Sequence, residues 1–112
     1  MSKKKNKFVT PEFENEVFNF CMGEENKKDY LKFANTFAKS FAERLFGAAK
    51  RGSEGVQFQM TLPPSEKPFF TASLVGEDFR RCVDDVECFT DTLTTLSMMA
   101  FYGFVKNIEK AA

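Results

Sequence analysis

The sequence predicts an α+β fold with the element order α-α-β-β-α: two N-terminal helices, a β-hairpin and a long C-terminal helix. Apolar residues recur at helical spacing before residue 51 and after residue 77, and they alternate with polar residues over 56–62. Three prolines then separate this alternating segment from a second extended one, as in a hairpin. We expect one domain at 10–112, with helices packed on a small antiparallel sheet, and a disordered basic arm at 1–9.

The first helix is predicted over 11–22. Thr10 can cap its N-terminus, and Pro11 suits the first helical position, where a backbone N–H has no partner inside the helix. One stripe along this helix is apolar, which predicts one buried side. The stripe consists of Phe13, Val17, Phe20 and Cys21.

The second helix is predicted over 27–51, with Gly52 as its stop. It contains a Phe-Ala pair every four residues over 33–42, so a row of rings lies beside a row of methyl groups. Its apolar residues cover more than half of the circumference, whereas a surface helix needs a stripe of only about 100°. We therefore expect neighbours on two sides, with the C-terminal helix packed in the alanine groove.

The two strands are predicted over 56–62 and 69–75, separated by the sequence PPSEKP. Alternation of apolar and polar residues predicts one buried face and one wet face. A two-stranded hairpin is marginal in water, so it must lie on the helices or pair with further strands. The residues expected to face the core are Val56, Phe58, Met60 and Leu62 in the first strand and Phe70, Ala72 and Leu74 in the second.

The last helix is predicted over 77–110. A straight helix of that length would measure roughly 50 Å, whereas a compact domain of this size has a radius of gyration of about 13 Å. The helix therefore breaks, or it extends beyond its own domain. The expected place for a break is 90–97, where β-branched threonines are poor helix formers.

The side-chain chemistry argues against an enzyme. The chain has 15 Phe and no His, so its core is aromatic and it lacks the commonest general base and metal ligand. Three Cys argue against a closed disulfide framework, and Cys82 and Cys88 are expected on different faces of the last helix. No apolar leader follows the lysines of the arm. We therefore expect a cytoplasmic protein with no cofactor, no catalytic residue and no membrane association.

Two groups of charged residues are candidate ligand sites. Asp84, Glu87 and Asp91 would share one face of the last helix, but this spacing is common on solvated helices, so we expect no metal site. The second helix carries a basic face that phosphate or nucleic acid could contact, although packing against an acidic neighbour explains it more simply. The residues of this face are Lys32, Lys39, Arg44, Lys50 and Arg51.

The segment 98–105 is apolar around the whole helix. One side can meet the chain's own core, and the other would then be an exposed apolar patch, which monomers seldom tolerate. We therefore expect a homodimer with its interface at this segment. The predicted interface residues are Met98, Met99, Phe101, Tyr102, Phe104 and Val105.

Three classes of function fit these observations. The first is a small non-enzymatic interaction protein, an obligate homodimer that acts by binding another protein. The alternative is a protein that binds a small nucleotide-like ligand in a Phe-lined pocket at the subunit junction. The third is nucleic-acid binding through the lysine arm and the basic helix. No motif in the sequence is specific enough to indicate a family.

Overall fold

The structure is a computed structural model that describes residues 10–111, and it confirms the predicted α+β fold and element order. The basic arm predicted at 1–9 lies outside the described residues. Two strands form an antiparallel hairpin, and the long C-terminal helix is divided into two, giving four helices in the described chain. The elements are α1 (Pro11–Met22), α2 (Lys27–Lys50), β1 (Gly55–Thr61), β2 (Pro68–Val75), α3 (Gly76–Asp84) and α4 (Val86–Ala111).

The C-terminal helical region breaks at Asp85, before the threonine-rich segment where a break was expected. Asp85 has an extended backbone, and its Oδ1 accepts hydrogen bonds from the N–H of Glu87 at 2.9 Å and of Cys88 at 3.4 Å. An aspartate in this position caps the N-terminus of the following helix. Residues 90–95 stay helical within α4 because Leu93 and Leu96 pack into the core, and that burial outweighs weak helix propensity.

The hairpin has the register that the alternating pattern implies. Val56 lies opposite Leu74 and Phe58 opposite Ala72. Phe58, Phe70 and Leu74 are buried, which confirms the predicted inward face of both strands. The other face of the sheet is exposed and mostly polar, and it carries Gln57, Gln59, Thr61, Thr71, Ser73 and the exposed Val75.

The interior consists of two aromatic-rich clusters that share α2 and α4. The sheet cluster lies between the hairpin, the C-terminal half of α2, α3 and the N-terminal half of α4. The helical cluster lies between α1, the N-terminal half of α2 and the C-terminal half of α4. Phe33 packs against both. The buried members are Phe37, Phe41, Leu45, Ala48, Phe58, Phe70, Leu74, Phe79, Cys82, Leu96 and Ala100 in the sheet cluster, and Val17, Cys21, Tyr30 and Phe101 in the helical cluster.

The phenylalanine row of α2 is core, as the repeat predicts. The Phe37 ring lies 6.1 Å from that of Phe70, and the Phe41 ring lies 4.9 Å from that of Phe58 and 5.4 Å from that of Phe89. The C-terminal helix thus packs along α2 as expected, but it shares the ring row with the hairpin. The alanine row is less enclosed: Ala34, Ala38 and Ala42 are all half-buried, and of the three Ala34 packs against the helical cluster.

The length of α4 raises the question of a membrane span. It has 26 residues, more than the ~20 that cross a bilayer. Charged residues such as Asp91, Lys106 and Glu109 interrupt its apolar surface. None of the helices in the described part of the chain is both long enough and apolar enough to cross a membrane.

Candidate interaction surface

The predicted interface residues in segment 98–105 are packed within the chain. Phe101 is buried, and the other five are half-buried. The Tyr102 ring lies 5.5 Å from that of Phe13, and its hydroxyl donates a hydrogen bond to Glu16 Oε2 at 2.7 Å. The expectation that the far side of this segment is an open apolar patch is therefore wrong, because α1 packs against it. The homodimer stays a prediction.

The five predicted basic residues do not share one face of α2. At 100° per residue, Lys32, Lys39 and Lys50 lie within about 20° of one another around the helix. Arg44 lies about 140° from Lys39 and faces the hairpin, where it meets β1. Arg51 follows the end of the helix. A continuous basic surface for phosphate is therefore reduced to three exposed lysines.

The three carboxylates considered as metal ligands lie on different helices. Asp84 ends α3, whereas Glu87 and Asp91 belong to α4, so the break at Asp85 removes the single face on which the spacing depended. Within residues 10–111, no group of three or more His, Cys, Asp or Glu side chains is placed to hold a metal ion.

The free edge of β1 has backbone groups that are not paired with another strand. In the described chain the sheet has only two strands, so β1 has β2 on one side and no strand on the other. Arg44 Nη2 donates a hydrogen bond of 2.8 Å to the carbonyl oxygen of Gln57, so this carbonyl points away from β2. Because alternate residues of an antiparallel strand direct their backbone groups to the same side, those of Gln59 also point to the free edge.

An apolar groove runs beside this edge, between α2 and β1. It has a volume of about 280 Å³. The Arg44 guanidinium lies 5.8 Å from the centre of the Phe58 ring at one end of it. The short side chains of Thr36 and Ser40 on α2 leave room above the phenylalanine row. The groove is lined by Phe33, Thr36, Phe37, Ser40, Phe41, Arg44, Phe58, Gln59 and Met60.

The two strands differ in how well they are protected. β2 begins with Pro68, and α4 approaches it so closely that a Cβ on Gly103 would lie 3.0 Å from the carbonyl oxygen of Phe69. β1 contains no proline and no charged residue. Natural proteins commonly use prolines, charges and covering helices to prevent edge strands from pairing with other chains. On β1, the described residues show a hydrogen bond from Arg44 to Gln57 and a register shift between Met60 and Thr61, and the strand between them carries neither a proline nor a charge.

Sequence reasoning indicated an unfinished sheet but did not identify the open edge. The signal was present in GVQFQMT, which lacks the charges and prolines of a protected edge strand. The sequence does not show where α2 lies relative to β1, because no local pattern indicates that Thr36 and Ser40 lie beside Gln59.

Comparison with known proteins gives no relative: no family model, no curated protein and no solved structure matches the chain. The open edge of β1 and the groove beside it are the features from which a function is proposed.

Proposed function

We propose that this protein is a non-enzymatic interaction protein that binds an extended segment of another protein at the free edge of β1. The observation that supports this is the unpaired edge beside an apolar groove. In strand addition, the incoming backbone completes the ladder of hydrogen bonds, and its alternate side chains fill pockets next to the sheet. The free edge of β1 would supply the backbone groups, and the groove between α2 and β1 would supply the pockets.

The chemistry of the groove specifies the partner segment. Of the nine residues that line it, Arg44 carries a positive charge and none carries a negative charge. The segment should therefore have apolar residues at alternate positions, above Phe33, Phe37 and Met60, and an acidic residue near Arg44. The bond from Arg44 to Gln57 would be exchanged for ladder bonds and for an ion pair with that acid.

The groove is small. Its volume of about 280 Å³ is close to the lower limit of the range of roughly 300–1,000 Å³ in which pockets bury drug-sized molecules, and it suits a few peptide side chains. A nucleotide-like ligand remains the alternative, since the walls are phenylalanine and one Arg is in reach. Such a ligand would need a second subunit to enclose it.

Self-association forms part of the same proposal. Phe46 and Val86 are 42% and 79% exposed, and the Phe46 ring stacks 5.5 Å from the ring of half-buried Phe89. A second copy of the chain would remove this apolar surface from water. Sedimentation at twice the chain mass of 12.8 kDa would support the homodimer. A stable monomer at micromolar concentration would exclude it, and would leave strand addition at β1 to be tested separately.

Strand addition can be tested with random peptides of about ten residues displayed on phage and selected on the immobilised protein, since such peptides cover one edge strand. Selected peptides should alternate apolar and polar residues and carry an acidic residue.

In fluorescence anisotropy, Arg44→Glu should weaken binding of a selected peptide by about tenfold or more, because the new carboxylate repels that acidic residue. Lys39→Glu is the matched control, with the same charge reversal on the opposite side of α2, and should leave the affinity unchanged.

A second variant tests the backbone ladder itself. Gln59→Pro removes an outward N–H while leaving the bonds between β1 and β2 in place, so it should abolish binding but retain the melting transition. Equal loss with Arg44→Glu and Lys39→Glu would point to nonspecific electrostatics. Full binding to folded Gln59→Pro would rule out strand addition.

A further inference from the structure

The break at Asp85 brings together two cysteines that a continuous helix would hold apart. Six residues apart on a straight helix, Cys82 and Cys88 would have Cα atoms about 10 Å apart, beyond the ~7 Å that a disulfide can bridge. In the structure, the Cys82 thiol reaches the backbone of Cys88 across the α3–α4 corner, where its Sγ donates to the Cys88 carbonyl oxygen at 4.0 Å. The expectation that they lie on different faces of one helix is therefore wrong.

We propose that Cys82 and Cys88 are a site of reversible oxidative modification, forming an intramolecular disulfide across the α3–α4 corner when the protein meets hydrogen peroxide. Both thiols are free in this structure. The extended residue Asp85 between the helices is the point at which the chain can adjust to let the sulfur atoms meet.

Burial separates the roles of the two thiols. Cys82 is 1% exposed, whereas Cys88 is half-buried, so peroxide reaches Cys88 first. Burial raises the pKa of the Cys82 thiol, while a hydrogen bond with the Thr92 side chain acts in the opposite direction. Cys82 is therefore protected from direct oxidation and is placed to react with an oxidised neighbour.

The reaction proceeds in two steps. The thiolate of Cys88 attacks one peroxide oxygen, the O–O bond breaks, and the departing hydroxide takes up a proton to become water, leaving a sulfenic acid on Cys88. The sulfur of Cys82 then attacks the Cys88 sulfur, the S–O bond breaks, and the proton released by the Cys82 thiol joins the departing hydroxide to form a second water. Two thiols are oxidised by two electrons, and one peroxide is reduced to two molecules of water.

Cys21 provides an internal control. It is fully buried in the helical cluster, where its Sγ donates to the carbonyl oxygen of Met98 at 3.5 Å. Burial raises the pKa of this thiol to about 11, so it should stay reduced. Alkylation of the denatured protein should then count three thiols before peroxide treatment and one, Cys21, after it.

The experiment is peroxide treatment of the full chain, followed by intact mass measurement and non-reducing peptide mapping. The expected product has lost about 2 Da and links the peptides of Cys82 and Cys88, and a thiol reductant restores the original mass. Cys21→Ser should form the same link. Cys88→Ser and Cys82→Ala should not form it, and their melting transitions will show whether each is folded.

Several results would overturn the proposal. These are stable oxygen adducts on Cys88 without loss of mass, a link that involves Cys21, disulfides between chains, and no reaction at all. Because the wild-type measurement alone distinguishes these products, the test does not depend on the variants remaining folded.

Discussion

The two clusters of this molecule are covered by different kinds of secondary structure. The helical cluster is sealed by α1, and its buried polar groups find partners inside: the hydroxyls of Tyr30 and Ser97 lie 2.8 Å apart, and Cys21 bonds to the backbone of Met98. The sheet cluster is sealed by a hairpin, which buries side chains on one face but leaves the backbone of β1 unpaired at its edge.

This difference arises from the secondary structure that covers each cluster. A helix satisfies its backbone hydrogen bonds internally, so α1 can cover apolar residues without creating a new binding surface. In a two-stranded sheet, a strand forms backbone hydrogen bonds with its partner on one side only. β1 therefore covers Phe41, while the N–H and C=O groups on its other side could pair with another chain. The binding site that we propose therefore belongs to the sheet cluster.

The largest effect we expect is loss of the ring at the centre of the sheet cluster. Phe41 is 1% exposed and touches rings from α2, β1 and α4. Phe41→Ala should lower the free energy of unfolding by about 3–5 kcal/mol, measured by urea denaturation, because it removes buried area and leaves a cavity. Phe18→Ala, at a ring that is 49% exposed on α1, is the matched control and should change it by less than about 0.5 kcal/mol. Similar losses for both would mean that Phe41 is not core.

The sequence predicted the elements well because their signals are local. Helical spacing, the Thr10 cap and the alternation in β1 and β2 depend on residues close together in the chain, and each prediction is confirmed. The break in the C-terminal region was placed wrongly because its position depends on a balance between local helix propensity, helix capping and packing in the core. Thr90 and Thr94 disfavour helix, but packing of Leu93 and Leu96 keeps that segment helical. The break lies at Asp85 because its side chain caps the N-terminus of α4.

The candidate surface was predicted less well, because surfaces depend on which elements cover which. The sequence shows that 98–105 is apolar around the helix, but the exposure of this segment depends on where α1 packs. Arg44 was grouped with Lys32 and Lys39 by composition, whereas its position around α2 places it against β1. An edge strand is defined by a missing neighbour, which no single segment of sequence records.

The second prediction concerns pH and the sealed helical cluster. Burial raises the pKa of Cys21 from 9.0 to about 11, so the folded state favours the neutral thiol. This contribution to stability is fully present below pH 9 and is lost as the pH rises towards 11. The loss should be on the order of 2 kcal/mol.

The measurement is the difference in unfolding free energy between wild type and Cys21→Ala, followed from about pH 8 to about pH 10.5, a range that spans the titration of a free thiol. The difference should shrink as the pH rises, because only the wild type must keep this thiol protonated. Taking the difference removes most of the titration of Tyr30, because burial is the main cause of its raised pKa and the charge on Cys21 is the smallest cause. A difference that stays constant with pH would show that Cys21 is not sealed from water.

The smallest effect we expect is at the polar contact inside the helical cluster. Ser97 Oγ donates to the carbonyl oxygen of Thr94 at 3.0 Å, so the hydroxyl of Tyr30 is the donor to Ser97. Tyr30→Phe should cost about 1 kcal/mol, because it removes one buried hydrogen bond and leaves Ser97 its bond to Thr94. Ser97→Ala should cost more, because it leaves the buried Tyr30 hydroxyl without an acceptor. A double-mutant cycle by urea denaturation should give a coupling of about 1 kcal/mol.

Tyr102→Phe is the matched control and should cost less, since its bond to Glu16 is exposed and water can replace it. If Tyr30→Phe and Tyr102→Phe had equal effects, the helical cluster would be as open to water as the surface of α1, and the contrast with the sheet cluster would fail.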